Sequence, residues 1–569
     1  MTSLFKASER RSSTISKSSA KESKRLEELT VRHAPVIDDN NPDDDEDARL
    51  AAMGYKNEFK REFKSLSTFS FAMAIMGLIS SVITTFNTPY LSGGPASAIW
   101  TWFLGAILNM TLGLAIGELV SAYPSCGGLY SVSGVVVPRR WSAVVAYGVG
   151  WANGLGQIAG IAGTAYGLSS MIMSWAFVIT NGSFVATTAQ IVGVYISIML
   201  IAGVVNSFPT SWIAKFTASY VFVNIITTVV IAILVLARTP RDQMLSGREA
   251  FVDIVNGSDW SNGLAFLVGL QMVQFVMTDY DATAHISEEV SRAAVAAPVA
   301  IVEAVFCTGV LGFFLIISLC FAGGNPADLL ARESSWPGGL AVAQIFLDRG
   351  GRIAFLIVWP FACAVAFFVV LTATQANARS FYALARDRAI PCVFAIIEKR
   401  TSVTINAVWL VVFLNIILIM LAFASYTAAS AIFSLSALSM DLSYWVPILC
   451  RQIFENHPDV RFQEKRGPFS LGSKFFGRFV NWVAIFWTLF EVIILCIPAY
   501  KLKGKSSEEW PLSMNWASVV FTGVMILAYA FYLVYGHRIY QPPSFNCHND
   551  ASKHNSSVVV NGVDSKSAQ

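Results

Sequence analysis

Apolar stretches close to twenty residues long recur along this chain from about residue 67 to residue 536, and no other feature restricts its fold as much. A helix rises about 1.5 Å per residue, so about twenty residues cross the ~30 Å hydrocarbon core of a bilayer. Inside hydrocarbon each backbone N–H and C=O must find its partner within the segment, which makes helices the structure for runs of this length. Twelve spans are read, at 67–88, 95–120, 142–175, 187–206, 214–237, 263–285, 297–322, 353–378, 403–424, 428–449, 479–499 and 515–536. The expected fold class is therefore an all-α polytopic membrane protein with twelve transmembrane helices and the lipid bilayer as its surroundings. Composition agrees: 54% of the 569 residues are apolar and 14% charged. The net charge is only +3, and the basic residues sit in loops beside the apolar runs, so no nucleic-acid partner is expected.

Residues 1–53 are rich in Ser, Lys and Arg and then strongly acidic in "DDNNPDDDED", a composition that buries too little apolar surface to fold alone. They are read as a disordered tail before a transporter domain at 54–538, with a second tail at 539–569. Either tail is a candidate for ubiquitination or trafficking machinery, or is plain solvated chain. With no cleavable signal peptide at the start, the first span is expected to act as the insertion signal. Lys and Arg concentrate in the even-to-odd loops, at Arg139, Arg140, Lys215, Arg292, Arg379, Arg386, Arg388, Lys399, Arg400 and from Arg451 to Arg478. By the positive-inside rule both termini are then cytosolic. "KLKGKSSEEW" (501–510) is the exception, placing three lysines outside. The sequons at Asn181 and Asn256 fall on the outer side and carry little weight. None of the eight cysteines shows a metal-ligand spacing, so they are read as packing residues, and neither metal nor cofactor is expected.

Two spans carry interruptions near the bilayer centre. In "STFSFAMAIMGLISSVITTF" (67–86), Gly77, Leu78, Ile79, Ser80 and Ser81 place a glycine and two serines in the apolar run. Glycine weakens a helix by about 1 kcal/mol, and serine hydroxyls can satisfy backbone groups freed by unwinding, although Gly and Ser also serve close helix packing. In "MTDYDATAH" (277–285), Asp279 and Asp281 would point about 200° apart on a regular helix. An ionised Asp in hydrocarbon costs at least ~2.5 kcal/mol. Unwinding around Thr278, Asp279 and Tyr280 lets both carboxylates face one wet chamber and sets His285 one turn after Asp281; hydration at the cytosolic end is the alternative. The breaks fall five spans apart, the spacing of two inverted five-helix repeats whose broken helices meet at the substrate.

These residues resemble the amino acid, polyamine and organocation (APC) transporter superfamily, specifically its fungal amino acid/choline group of GABA, choline, thiamine-type and polyamine permeases. The resemblance is carried by "GYKNEFKREFKSLSTFSFAMAIMGLISS" (54–81), "GELVSAYPSCGGLYSVS" (117–133), "DYDATAHISEEV" (279–290), "NARSFYALARDRAIP" (377–391) and "INAVWL" (405–410). It implies a LeuT-like fold with a 5+5 inverted repeat and secondary active transport driven by protons. It further implies that the break at Gly77 to Ser81 offers backbone amides to a substrate carboxylate, and that Asp281 holds the substrate amine or relays a proton. Many relatives have a small residue in place of Asp279; the extra acid either favours a cationic substrate or is paired elsewhere.

Glu118, with "YPSCGGLY" after it, resembles the gating region of that group, and a capping role is the alternative. His285 and Lys215 are further coupling candidates, Lys215 being equally an interfacial lysine. Glu303, Asp441 and Glu491 are expected to pair with basic groups near helix ends. Thr372, Thr374, Gln375 and Asn377 suit either ligand contact or interhelical hydrogen bonds. The expected function is a proton-coupled symporter importing an amino acid or GABA-like amine, with choline, polyamine or thiamine-type amines as alternatives, at the plasma membrane rather than the vacuole. A transporter-like nutrient sensor is the rival of another class. No enzyme motif such as G-x-S-x-G, H-E-x-x-H or a P-loop is present.

Overall fold

The computed structural model describes residues 46–47, 49–51, 53–398, 400–423, 426–460, 466–501 and 514–543, without the side chains of 426–430. Most of the two expected tails, the lysine-bearing segment after Lys501 and Cys547 lie outside the described residues. Near the ends the body is larger than the composition suggests. Leu50 and Met53 are buried, and so is Tyr540, whose Oη donates to Tyr130 Oη at 3.1 Å, while the Gln541 N–H donates to the Asp387 carbonyl at 3.0 Å.

Among the described residues, eleven helices are long and apolar enough to cross a bilayer: Ser65–Ser92, Gly94–Ala122, Arg139–Ile179, Thr188–Asn206, Thr210–Arg238, Ala293–Gly323, Ala341–Arg386, Ile405–Phe423, Ala431–Phe454, Lys474–Leu495 and Ala517–Val534. The twelfth element is the shorter apolar helix Asn262–Val276, sixth in chain order, which stops halfway. The spans are numbered one to twelve below. Large side chains point outward, as in a protein dissolved in lipid: Phe306, Phe314, Ile353, Phe361 and Phe486 are all more than half exposed. The polar side chains Asn109, Asn153, Gln157, Gln274, Asp441 and Glu491 are turned inward and buried. Hydrocarbon reverses the usual arrangement, because a polar group finds partners only inside the bundle.

The first span is two helices, Ser65–Met76 and Leu78–Thr85, hinged at Gly77 with φ +47°. The break is narrower than the sequence suggested. Leu78 to Ser81 are already helical, because one left-handed residue is enough to redirect the chain and glycine adopts it without a Cβ clash. Both serines bond the backbone at the break: Ser81 Oγ donates to Met76 O at 3.0 Å, and Ser80 Oγ donates at 2.8 Å to Gly77 O, which also accepts the Ser81 N–H at 3.0 Å.

The sixth span ends its helix at Val276, and the chain resumes as a single turn at Ala282–His285. Between them Asp279 is left-handed, with φ +59°, a conformation Asp tolerates better than most residues. The helix Leu270–Val276 packs on Leu78–Thr85, and Ala282–His285 on Ser65–Met76, so the two breaks lie side by side.

Candidate functional site

At the sixth-span break the two carboxylates have different surroundings. Asp281 is fully buried and hydrogen-bonded by two neighbours, with a third close by. Tyr444 Oη donates to its Oδ1 at 2.7 Å, Asn153 Nδ2 donates to its Oδ2 at 3.1 Å, and His285 Nε2 lies 3.4 Å from Oδ2. The Tyr444 oxygen also accepts the Asp279 N–H at 3.1 Å, which secures the unwound backbone. His285, one turn after Asp281 as expected, sets its Nδ1 3.1 Å from the Cys126 carbonyl.

Asp279 is buried, but its Oδ1 has no hydrogen-bond partner among the described residues. Thr278 Oγ1, Thr374 Oγ1 and both amide atoms of Gln375 are in the same condition. Thr374 and Gln375 belong to the eighth span, which packs against both broken helices. Buried polar atoms are ordinarily paired, so these unpartnered atoms on the sixth and eighth spans stand out. At the first break, Leu78–Thr85 begins with no side-chain cap. The amides that open a helix carry partial positive charge and are suited to an anion.

Asn153 and Gln157 extend the network behind Asp281. Gln157 Nε2 donates to Asn153 Oδ1 at 3.1 Å, while Gln157 Oε1 accepts from Asn377 Nδ2 at 2.7 Å and Ser380 Oγ at 3.0 Å. Neither Asn153 nor Gln157 stood out in the sequence, although two amides four apart in an otherwise apolar span were a legible signal. Tyr444 gave none, because a tyrosine in a membrane helix is ordinarily a packing or interface residue.

The Arg-rich end of the bundle is closed by ion pairs. Arg379 pairs with Glu289 and donates to Thr404 Oγ1 at 2.7 Å, Arg386 pairs with Glu288 at 3.1 Å, and Arg451 pairs with Glu118 at 2.6 Å. Arg379 and Arg386, read from the sequence as loop charges, thus serve as internal partners of Glu289 and Glu288, just after the sixth span. Glu118 also accepts the Leu471 N–H at 3.3 Å, fixing the loop before the eleventh span across this end. Asp387 accepts hydrogen bonds from Tyr55 at 2.8 Å and Tyr130 at 2.7 Å. Burial pushes its carboxyl up to about 6, opposed by the Arg386 charge and the two tyrosine hydroxyls.

At the opposite end a cavity of about 300 Å³ is lined by Thr84, Tyr166, Ser170, Trp336 and Phe433. Phe433, on the cavity wall, meets Phe275 edge-on at 4.8 Å, one turn before the sixth-span break. Lys215 is exposed on the fifth span and is not brought into the carboxylate cluster. Glu303 is exposed too, while Asp441 and Glu491 are buried with no basic partner among the described residues, contrary to the expectation of helix-end pairing.

Comparison with known proteins converges on one family. The family described as amino acid permease matches residues 66–528. An uncharacterised amino-acid permease of Schizosaccharomyces pombe is 39% identical over 508 residues, covering 88% of this chain and 90% of the relative. Amino-acid permease 2 of Neurospora crassa is 32% identical over 500 residues, covering 87% and 89% respectively. A Candida albicans protein provisionally named a polyamine transporter is 29% identical over 516 residues, covering 88% and 90%. With its broken first and sixth spans and a match across the whole membrane body, this chain belongs to the amino acid permease family.

Proposed function

We propose that the protein is a proton-coupled symporter that imports an amino acid or a GABA-like zwitterion across the plasma membrane, with its Arg-rich end in the cytosol. The observation that carries this reading is the juxtaposition of opposite polarities at the two breaks. The uncapped amides at the start of Leu78–Thr85 suit a carboxylate, and Asp281 beside Asp279 suits an amine. A molecule bearing both groups bridges the two helices. In this reading the ion pairs of the Arg-rich end form the closed inner gate, and Phe275 with Phe433 the outer one. Binding draws the half-helices together and shifts the balance between the gates.

Uptake of radiolabelled amino acids in a permease-deficient host tests the reading. Asp281→Asn removes a charge-assisted contact and is expected to weaken apparent affinity roughly tenfold or more. Unchanged uptake by this variant, present at normal surface level, rejects it.

A second reading is supported by the unpartnered Asp279 oxygen and by the name of the Candida albicans relative. Two acids at one break suit a substrate of net positive charge, such as a polyamine. Competition of unlabelled amines against one transported tracer separates the readings: zwitterions displace it best in the first, spermidine-like cations in the second. Asp279→Asn is expected to reverse the preference only if the second holds.

A further inference from the structure

The tenth and eleventh spans bury two more carboxyl groups that the substrate site does not use. Asp441 stands one helical turn before Tyr444, and Gln274 Nε2 donates to both its oxygens, at 2.9 and 3.0 Å. Gln274 Oε1 accepts from Asn109 Nδ2 at 2.9 Å, and Asn109 Oδ1 accepts from Trp487 Nε1 at 2.8 Å. A continuous polar chain therefore crosses from the tenth span through the sixth and second to the eleventh. One turn beyond Trp487 on the same helix face is Glu491. It is fully buried, neither of its oxygens has a hydrogen-bond partner among the described residues, and it lies within electrostatic range of Asp441.

No Lys, Arg or His among the described residues forms an ion pair with either acid. Among the described residues, the titratable groups nearby are Tyr280, Asp281 and Asp279 of the sixth span, His285 at 3.4 Å from Asp281, and Tyr444 of the tenth. On the other elements packed here, Glu118 of the second span and Arg451 of the tenth pair with each other, and Tyr130 of the short helix Leu129–Val135 is engaged by Asp387. Tyr529 and Tyr532 of the twelfth span gather around Tyr147 of the third. Two buried carboxyl groups without a cation cannot both ionise cheaply, and neutralisation by a proton is the ordinary outcome.

We propose that Asp441 and Glu491 form a proton-binding site of their own, distinct from the carboxylates that meet the substrate. The proton arrives from water on one side, rests on Glu491, and leaves to water on the other, with no bond made or broken besides O–H. Gln274 is the link to the substrate, since it sits on the half-helix that ends at the break, five residues before Asp279. When that half-helix moves, Gln274 withdraws its donation from Asp441 and the proton affinity of the pair changes. This proposal rests on the proton-coupled reading above and assigns its proton to a place.

Two measurements test it. In proteoliposomes holding a pH-sensitive dye, the ratio of protons to labelled amino acid taken up is expected to fall about tenfold in Glu491→Gln and to recover in Glu491→Asp. A wild-type ratio in both Glu491→Gln and Asp441→Asn overturns the proposal. The second needs no substrate: infrared difference spectra across a pH titration are expected to show a protonated carboxylic-acid band in the wild type that Glu491→Gln removes. An identical band in both overturns the proposal. If no amino acid moves in the wild type, the permease reading fails, and the infrared band still decides the proton site.

Discussion

Gly77 shows how much of this molecule turns on a single residue. Its φ of +47° is left-handed, and a Cβ added there would lie 2.1 Å from Cγ2 of Val369. Gly77→Ala therefore meets two penalties, a left-handed backbone of about 1–2 kcal/mol and a steric clash. The expected outcome is a marked loss of monodisperse protein on size exclusion after detergent extraction. Adding Val369→Ala removes the clash but not the backbone strain, so recovery is expected to be partial. Full recovery would mean that the left-handed conformation is not required. Asp279 occupies a comparable conformation at the sixth break without being glycine, and its backbone N–H is held by Tyr444. A non-glycine residue kept there by a specific partner fits a functional position better than a packing one.

Among the elements, the segment after the sixth-span break binds the Arg-rich end together. Phe63 N–H donates to Glu289 O at 3.0 Å and Ser291 N–H to Phe63 O at 3.0 Å, joining the entry to the first span with the exit from the sixth. Glu288 and Glu289 then reach the eighth span through Arg386 and Arg379. Removing one member of a buried pair leaves an uncompensated charge, at about 3–5 kcal/mol. Arg379→Gln is thus expected to lower thermal stability clearly, while Arg379→Gln with Glu289→Gln recovers most of it, because no buried charge is then left alone. Equal destabilisation in single and double variants would show that the packing of Arg379 over Phe59, 4.8 Å from guanidinium to ring centre, matters more than its charge.

For the whole molecule, Asp387 joins segments distant in sequence: Tyr55 before the first span, Tyr130 between the second and third, and Gln541 after the last. Arg386 adds a stacking contact 3.7 Å from the Tyr55 ring centre. Since burial raises the Asp387 carboxyl from 3.8 to about 6, the closed arrangement binds its proton more tightly than one in which Asp387 is hydrated. Linkage then gives the sign: its contribution to closure is complete below pH 3.8 and is lost as pH rises through about 6. Lowering the pH from 7 toward 5 is expected to raise hydrogen-exchange protection, corrected for the intrinsic pH dependence of amide exchange, in residues 53–63 and 539–543, and Asp387→Asn to remove that rise. The reverse slope in the wild type would contradict burial as the dominant influence on Asp387.

The sequence by itself determined the membrane class, the spans and the sites of both breaks. Length, hydropathy and interruption are local properties, and hydrocarbon enforces them segment by segment. It also singled out Asp281 and His285, since a charge in a membrane span has to be accounted for. Only the tertiary structure decided which polar groups answer one another. Asn153 and Tyr444 reach Asp281 from the third and tenth spans, Arg379 and Arg386 turn from loop charges into internal partners, and Lys215 stays exposed. Asp441 and Glu491, expected beside basic groups, are buried with no basic partner among the described residues. The facing of a helix apolar on every side is not written in its periodicity; it is set by which neighbours it packs against, and those lie hundreds of residues away in the chain.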